Sequence, residues 1–221
     1  MGRVGLAVGG VAFIAVGAMI AFGWTGQSSA EETATETDPV RAIELAMDSG
    51  DVVIRTDDDA RQTTIRQEFR YRFGEPDRSY TLDNGTLTLA DCGRFCSVDY
   101  EVIVPRGVTV GGTLDSGHLV VDGVGDVRVT ADSGGVRGER LRGDVEVTVD
   151  SGDVELSLVE SRNVRALVDS GSLQVTVPAG AYRVEGSTDS GNREIGVVQD
   201  PAASRLLDLT TDSGDVVVHG A

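Results

Sequence analysis

Residues 127–136 read Val127-Arg128-Val129-Thr130-Ala131-Asp132-Ser133-Gly134-Gly135-Val136, and residues 145–154 read Val145-Glu146-Val147-Thr148-Val149-Asp150-Ser151-Gly152-Asp153-Val154. In both, apolar residues take alternate positions up to an Asp-Ser-Gly tripeptide, and an apolar residue returns two places beyond the glycine. A period of two marks a strand with one buried face. The tripeptide occurs at Asp48, Asp115, Asp132, Asp150, Asp169, Asp189 and Asp212, and ends on Gly50, Gly117, Gly134, Gly152, Gly171, Gly191 and Gly214. From Asp115 onward the copies are spaced by 17, 18, 19, 20 and 23 residues. Recurrence at this length signals a repeat architecture.

The flanks repeat as well. The fifth residue before each aspartate is apolar throughout: Ile43, Val110, Val127, Val145, Val164, Val184 and Leu207. The second residue after the glycine is Val52, Leu119, Val136, Val154, Leu173 or Val216, with Arg193 as the exception. Across the tripeptide the inward parity slips by one residue, which would turn a straight strand inside out. The tripeptide is therefore a bend that returns the chain to the same core. An aspartate there can accept a hydrogen bond from the N–H two residues on, as in an Asx-turn, and glycine takes the positive φ that other residues resist. A second corner falls at Asp122-Gly123, Arg142-Gly143, Ser161-Arg162-Asn163 and Pro178-Ala179-Gly180. Each copy is thus two short strands and two bends, and no single copy can bury its own apolar face.

The expected fold is all-β: a stacked β-solenoid, on the order of 25–30 Å long for five or six rungs. An antiparallel sandwich is the rival. The same turn residues at every other corner favour stacking, because equivalent residues then lie above one another.

Residues 51–105 lack the regular repeat. Strand-like runs at 63–73, 86–89 and 97–104, with Asp83-Asn84-Gly85 as a hairpin turn, suggest an N-terminal strand and hairpin cap over the open edge. At the other end, the last copy in the sequence is expected to leave an exposed rung.

Residues 4–24 form a 21-residue run without a charged side chain, preceded by Arg3 and followed by Glu31, Glu32, Glu36 and Asp38. Its length suits one transmembrane helix, and the charge asymmetry puts the downstream residues outside the cell membrane. The expected organisation is a cytoplasmic stub at 1–3, a signal-anchor at 4–24, a disordered linker at 25–39 and an extracytoplasmic β-repeat domain at 40–221. A signal peptide cleaved near Ser28-Ser29-Ala30, giving a secreted protein, is the alternative. Outside the cytoplasm, Cys92 and Cys96, the only cysteines, are expected to form one local disulfide.

The chain carries a formal net charge of −17 and its basic residues are all arginine, without a basic cluster. That argues against nucleic acid, whose phosphates require a basic face, and against peripheral docking on anionic lipid. Stacked aspartates could attract Ca²⁺, which needs six to eight oxygens, but the sequence lacks the glycine-rich nonapeptide calcium repeat, and a solvated column of turns is the favoured reading. His118 follows one Asp-Ser-Gly directly, yet its equivalents are Asp51, Gly135, Asp153, Ser172, Asn192 and Asp215, the pattern of a solvent-facing position. No catalytic residue, cofactor site or metal site is expected.

The Asp-Ser-Gly-x-Val copies, together with Cys92…Cys96-Ser97-Val98-Asp99-Tyr100 leading to Val104-Pro105-Arg106-Gly107, resemble a bacterial family labelled putative adhesins, built on a domain of unknown function. The resemblance covers roughly residues 40–221. It implies a stacked β-repeat, exported or membrane-linked, with no catalytic residues to carry over. The expected function is a non-enzymatic surface, adhesion or interaction module. It would be held at the membrane by its N-terminal helix and would contact a cell-wall polymer or an envelope protein. A membrane-anchored sensor or regulator of envelope stress is the alternative. The oligomeric state is not readable from the sequence.

Overall fold

The computed structural model describes residues 28–160 and 163–221. The expected cytoplasmic stub and transmembrane segment lie outside the described residues. No helix among the described residues is long and apolar enough to cross a membrane.

The described chain is all strand and turn. In order, the strands are β1 (Ser28–Glu36), β2 (Ala42–Met47), β3 (Val52–Thr56), β4 (Thr63–Tyr71), β5 (Tyr80–Asp83), β6 (Thr86–Ala90) and β7 (Cys96–Val104). Four regular pairs follow: β8 (Thr109–Ser116) with β9 (Leu119–Asp122), β10 (Val127–Ser133) with β11 (Val136–Leu141), β12 (Val145–Ser151) with β13 (Val154–Leu158), and β14 (Asn163–Ser170) with β15 (Leu173–Val177). The chain continues through β16 (Ala181–Glu185), β17 (Thr188–Ser190), β18 (Arg193–Gly196) and β19 (Val198–Gln199). It closes with β20 (Leu206–Ser213) and β21 (Val216–Gly220).

The first strand of each pair joins one sheet and the second joins the other, so each Asp-Ser-Gly is a corner between two facing sheets. Pairing between rungs is parallel and in register. Ser116 lies opposite Ser133, Ser133 opposite Ser151, Ser151 opposite Ser170, and Ser170 opposite Ser213. Parallel pairing excludes the antiparallel sandwich. The predicted inward residues form the core: Val127, Val129 and Ala131 on one sheet face Val136 and Leu141 on the other, all buried. Gly138 occupies an inward position but has no side chain to fill it. A break in register between Gly138 and Leu141 swings Leu141 into that space, where it is fully buried.

Spatial order departs from sequence order at both ends. Strands β2 and β3 lie between the β6/β7 rung and the β8/β9 rung. The β20/β21 copy, last in sequence, inserts between β14/β15 and the rung made by β16, β17 and β18. The exposed terminal rung is therefore the Asp189 copy, not the Asp212 copy. The cause is apolar content: β20 and β21 bury Leu207, Leu209, Val216 and Val218. The Asp189 copy instead turns Gly186, Thr188 and Arg193 toward the core. Arg193 covers the open end by donating from Nη1 to the Leu209 carbonyl at 2.9 Å and from Nη2 to the Glu185 carbonyl at 2.8 Å. Its burial lowers its pKa, against the opposing pull of Asp208.

The other end carries the cap. β4 pairs antiparallel with β7, and β5 forms the expected hairpin with β6 through Asn84 and Gly85, both at positive φ. Residues 28–36, expected to be disordered, instead form β1, paired with β4 along its whole length. The Arg66 guanidinium holds β1 by bonding both carboxylate oxygens of Glu31, at 2.8 and 3.0 Å, and Ala30 and Ala34 pack on the core. Tyr80 of β5 donates its hydroxyl to Glu36 of β1 at 2.9 Å, tying the two sheets together at the cap. Burial, with Glu36 beside it, pushes the Tyr80 phenol up to about 12. The ten strands of one sheet span on the order of 40 Å at ~4.8 Å per strand, longer than the sequence implied because non-repeat strands extend the stack.

Candidate interaction surface

The seven Asp-Ser-Gly corners lie along one edge of the rod. Their expected Asx-turns do not form. In six of the seven, all but the terminal Asp189 corner, the N–H two residues after the aspartate goes to the neighbouring rung: Gly117 donates to the Ser133 carbonyl at 3.1 Å and Gly134 to the Ser151 carbonyl at 2.9 Å. The carboxylates of Asp48, Asp115, Asp132, Asp150, Asp169, Asp189 and Asp212 are exposed and make no hydrogen bond or ion pair among the described residues. The glycines stack so closely that the corner admits no side chain.

A different set of aspartates does the bonding. Asp51, Asp153 and Asp215 stand one residue past the glycine, and Asp99 of β7 takes the equivalent place. Each accepts the backbone N–H of its counterpart one rung away: Asp51 N to Asp99 (3.0 Å), His118 N to Asp51 (2.9 Å), Ser172 N to Asp153 (2.8 Å) and Asn192 N to Asp215 (2.7 Å). At the second corner Asp126 accepts from Asp144 N at 2.9 Å, and Asp144 from Asn163 Nδ2 at 3.0 Å. The sequence signal was present, because Asp recurs in this variable column, but variability alone masked its role between rungs.

His118 Nδ1 lies 3.3 Å from Asp51 on the exposed edge, and His219 sits on β21, so the histidines do not converge with a serine. No group of three or more His, Cys, Asp or Glu side chains among the described residues could hold a metal ion. Asp58, in the acidic run 57–59, is bound bidentately by Arg106, which lowers its pKa. Cys92 and Cys96 form the expected disulfide.

One continuous surface feature lies on the outside of the sheet that contains β2, β8, β10, β12, β14 and β20. A shallow groove of about 530 Å³ crosses all six. One rim carries Glu44, Arg128, Glu146 and Arg165; the other carries Thr109, Asp126, Asp144 and Asn163. Along the first rim the charges alternate: Arg128 pairs with Glu146 at 2.8 Å and Arg165 with Asp208 at 3.0 Å. Beside them Thr113, Thr130, Thr148 and Thr210 form a column of outward hydroxyls, interrupted by Leu167.

A family model described as Toastrack DUF4097 matches residues 110–219, the span of the regular rungs. Over those residues this is a Toastrack DUF4097 domain. The toastrack domain shares its fold with a structure described as a putative cell adhesion protein from Clostridium sporogenes, at 12% identity and a TM-score of 0.53, covering 87% of this chain and 100% of that one. A structure described as a putative adhesin from Bacteroides fragilis aligns at 12% identity with a TM-score of 0.38, covering 86% of this chain and 97% of that one. None of the curated proteins is significantly similar to the chain in sequence. The expected membership of the putative-adhesin family, a family of unknown function, stands.

Proposed function

We propose that the toastrack domain is a non-enzymatic interaction module of the cell envelope, tethered to the membrane by the N-terminal apolar segment. It would engage an extended polymer or polypeptide along the outside of one sheet. The observation that carries this reading is the groove across six successive rungs. A partner lying there meets charged and polar side chains on both rims and a column of hydroxyls, recurring at ~4.8 Å steps. Repetition of weak contacts at fixed spacing suits a repetitive partner, because each added contact gains from those already made. The name borne by the Clostridium sporogenes structure agrees with a surface role.

The reading is tested by sedimentation of the protein with isolated cell-wall polymer across a salt series. Arg128→Glu with Arg165→Glu replaces the cations of the rim, and binding is expected to fall and to lose its salt dependence. Equal binding by this variant and the unaltered protein would remove the groove from the account.

A further inference from the structure

The row Ser28, Tyr71, Cys96 runs across β1, β4 and β7 at the edge of the cap. Immediately beyond it two loops meet. One leaves β4 as Arg72-Phe73; the other is closed by the Cys92–Cys96 disulfide and carries Arg94-Phe95. Phe73 is 77% exposed and Phe95 56%, and their rings meet edge to face at 5.7 Å. Phe95 holds φ +68, a conformation costly for a bulky residue, with its carbonyl accepting Arg72 N–H at 3.1 Å. The Arg94 guanidinium lies 4.9 Å from the Phe95 ring centre. Neither Arg72 nor Arg94 pairs with a carboxylate among the described residues. Two exposed rings and two cations without a carboxylate partner are thus held together on two adjoining loops of a protein whose net charge is −17.

The place matters as much as the composition. Ser28 stands four positions after Trp24, the end of the apolar run, a reach of at most ~14 Å. If the run lies in a bilayer, this corner of the cap lies at its surface. Aromatic rings and arginines are the side chains that favour the boundary between headgroups and acyl chains, and the arginines suit anionic lipid.

We propose that Arg72, Phe73, Arg94 and Phe95 form a foot that seats the cap on an anionic phospholipid surface. The rod then stands away from the membrane and presents its groove outward. The unpaired aspartate column runs along the same edge, so lying flat would bring seven carboxylates against like charge. The foot rests on the membrane-tethered reading of the N-terminal segment.

The test uses the full chain in proteoliposomes of phosphatidylcholine with phosphatidylglycerol, with nitroxide-labelled lipid as quencher. Trp24 is the only tryptophan, so the unaltered protein reports on the segment itself. Trp24→Phe with Phe73→Trp reports on the foot, and Trp24→Phe with Val198→Trp reports on the opposite end, where Val198 is 67% exposed. The expected result is loss of emission for the Phe73→Trp probe with headgroup-proximal nitroxide, none for the Val198→Trp probe, and recovery of the former when Arg72→Gln and Arg94→Gln are added. Quenching of Trp24 without quenching at position 73 overturns the foot and leaves the tether standing. Unquenched but blue-shifted emission at position 73 means that a second copy of the chain covers the patch and also overturns it. Equal quenching at positions 73 and 198 overturns the upright orientation. Unquenched Trp24 removes the tether and the foot together.

Discussion

A Cβ placed on Gly134 would lie 1.7 Å from the carbonyl oxygen of Gly117. Gly134 also holds φ +139, where a side chain is strained. The clash is with backbone that is itself fixed by the inter-rung ladder, so nothing can yield locally. Gly134→Ala is expected to cost about 3 kcal/mol. Gly135→Ala, whose new Cβ would meet its nearest atom at 3.3 Å, is expected to be far milder. Urea unfolding midpoints of the two variants check the difference.

Arg193 closes the terminal rung at a position filled by valine or leucine in the other copies. Arg193→Val is expected to leave the fold in place but to expose an apolar end, the kind of uncovered edge that invites pairing. Sedimentation velocity across a concentration series should show self-association in the variant beyond that of the unaltered protein.

Arg66 holds the Glu31 carboxyl below its ordinary value of 4.5, chiefly through the hydrogen bond it donates. A depressed carboxylate contributes stability that is full above the unfolded value and is lost as pH falls through the folded one. Because the pair is largely exposed, the contribution is small. Hydrogen exchange of residues 28–36 should therefore accelerate relative to the rungs as pH falls below the ordinary carboxyl value of 4.5. Arg66→Gln should lower β1 protection at neutral pH and flatten that dependence.

The disulfide closes a short loop in the cap. By chain entropy it is worth about 2 kcal/mol. Cys92→Ser with Cys96→Ser is expected to loosen residues 72–75 and 92–96 while β10 to β13 keep their exchange protection. Uniform loss of protection would show that the cap and the rungs unfold as one unit.

The repeat was legible because alternation and the recurring tripeptide report the same burial. Val127, Val129 and Ala131 point inward for the reason their spacing gave. The order of rungs was legible only through one residue. Arg193 breaks an otherwise apolar column, and a cation can occupy such a position only where the stack ends. β1 was not legible. Its run of Ser, Thr and Glu carries little to bury, and it becomes a strand because β4 offers an unpaired edge and Arg66 offers a partner for Glu31. The foot was hidden too, since Phe73 and Phe95 are 22 residues apart in sequence and meet only through the pairing of β4 with β7.

The insertion of β20 and β21 between two earlier rungs constrains how such a protein can lengthen over evolutionary time. Both flanks of that copy are occupied, so a unit duplicated just after it could not stack on its parent and would have to reach across to the exposed Asp189 rung. Duplications are accommodated most directly where successive units already touch in order, from β8 through β15. Lineages with longer or shorter rods should therefore differ in the number of units within that interval, while both ends stay constant.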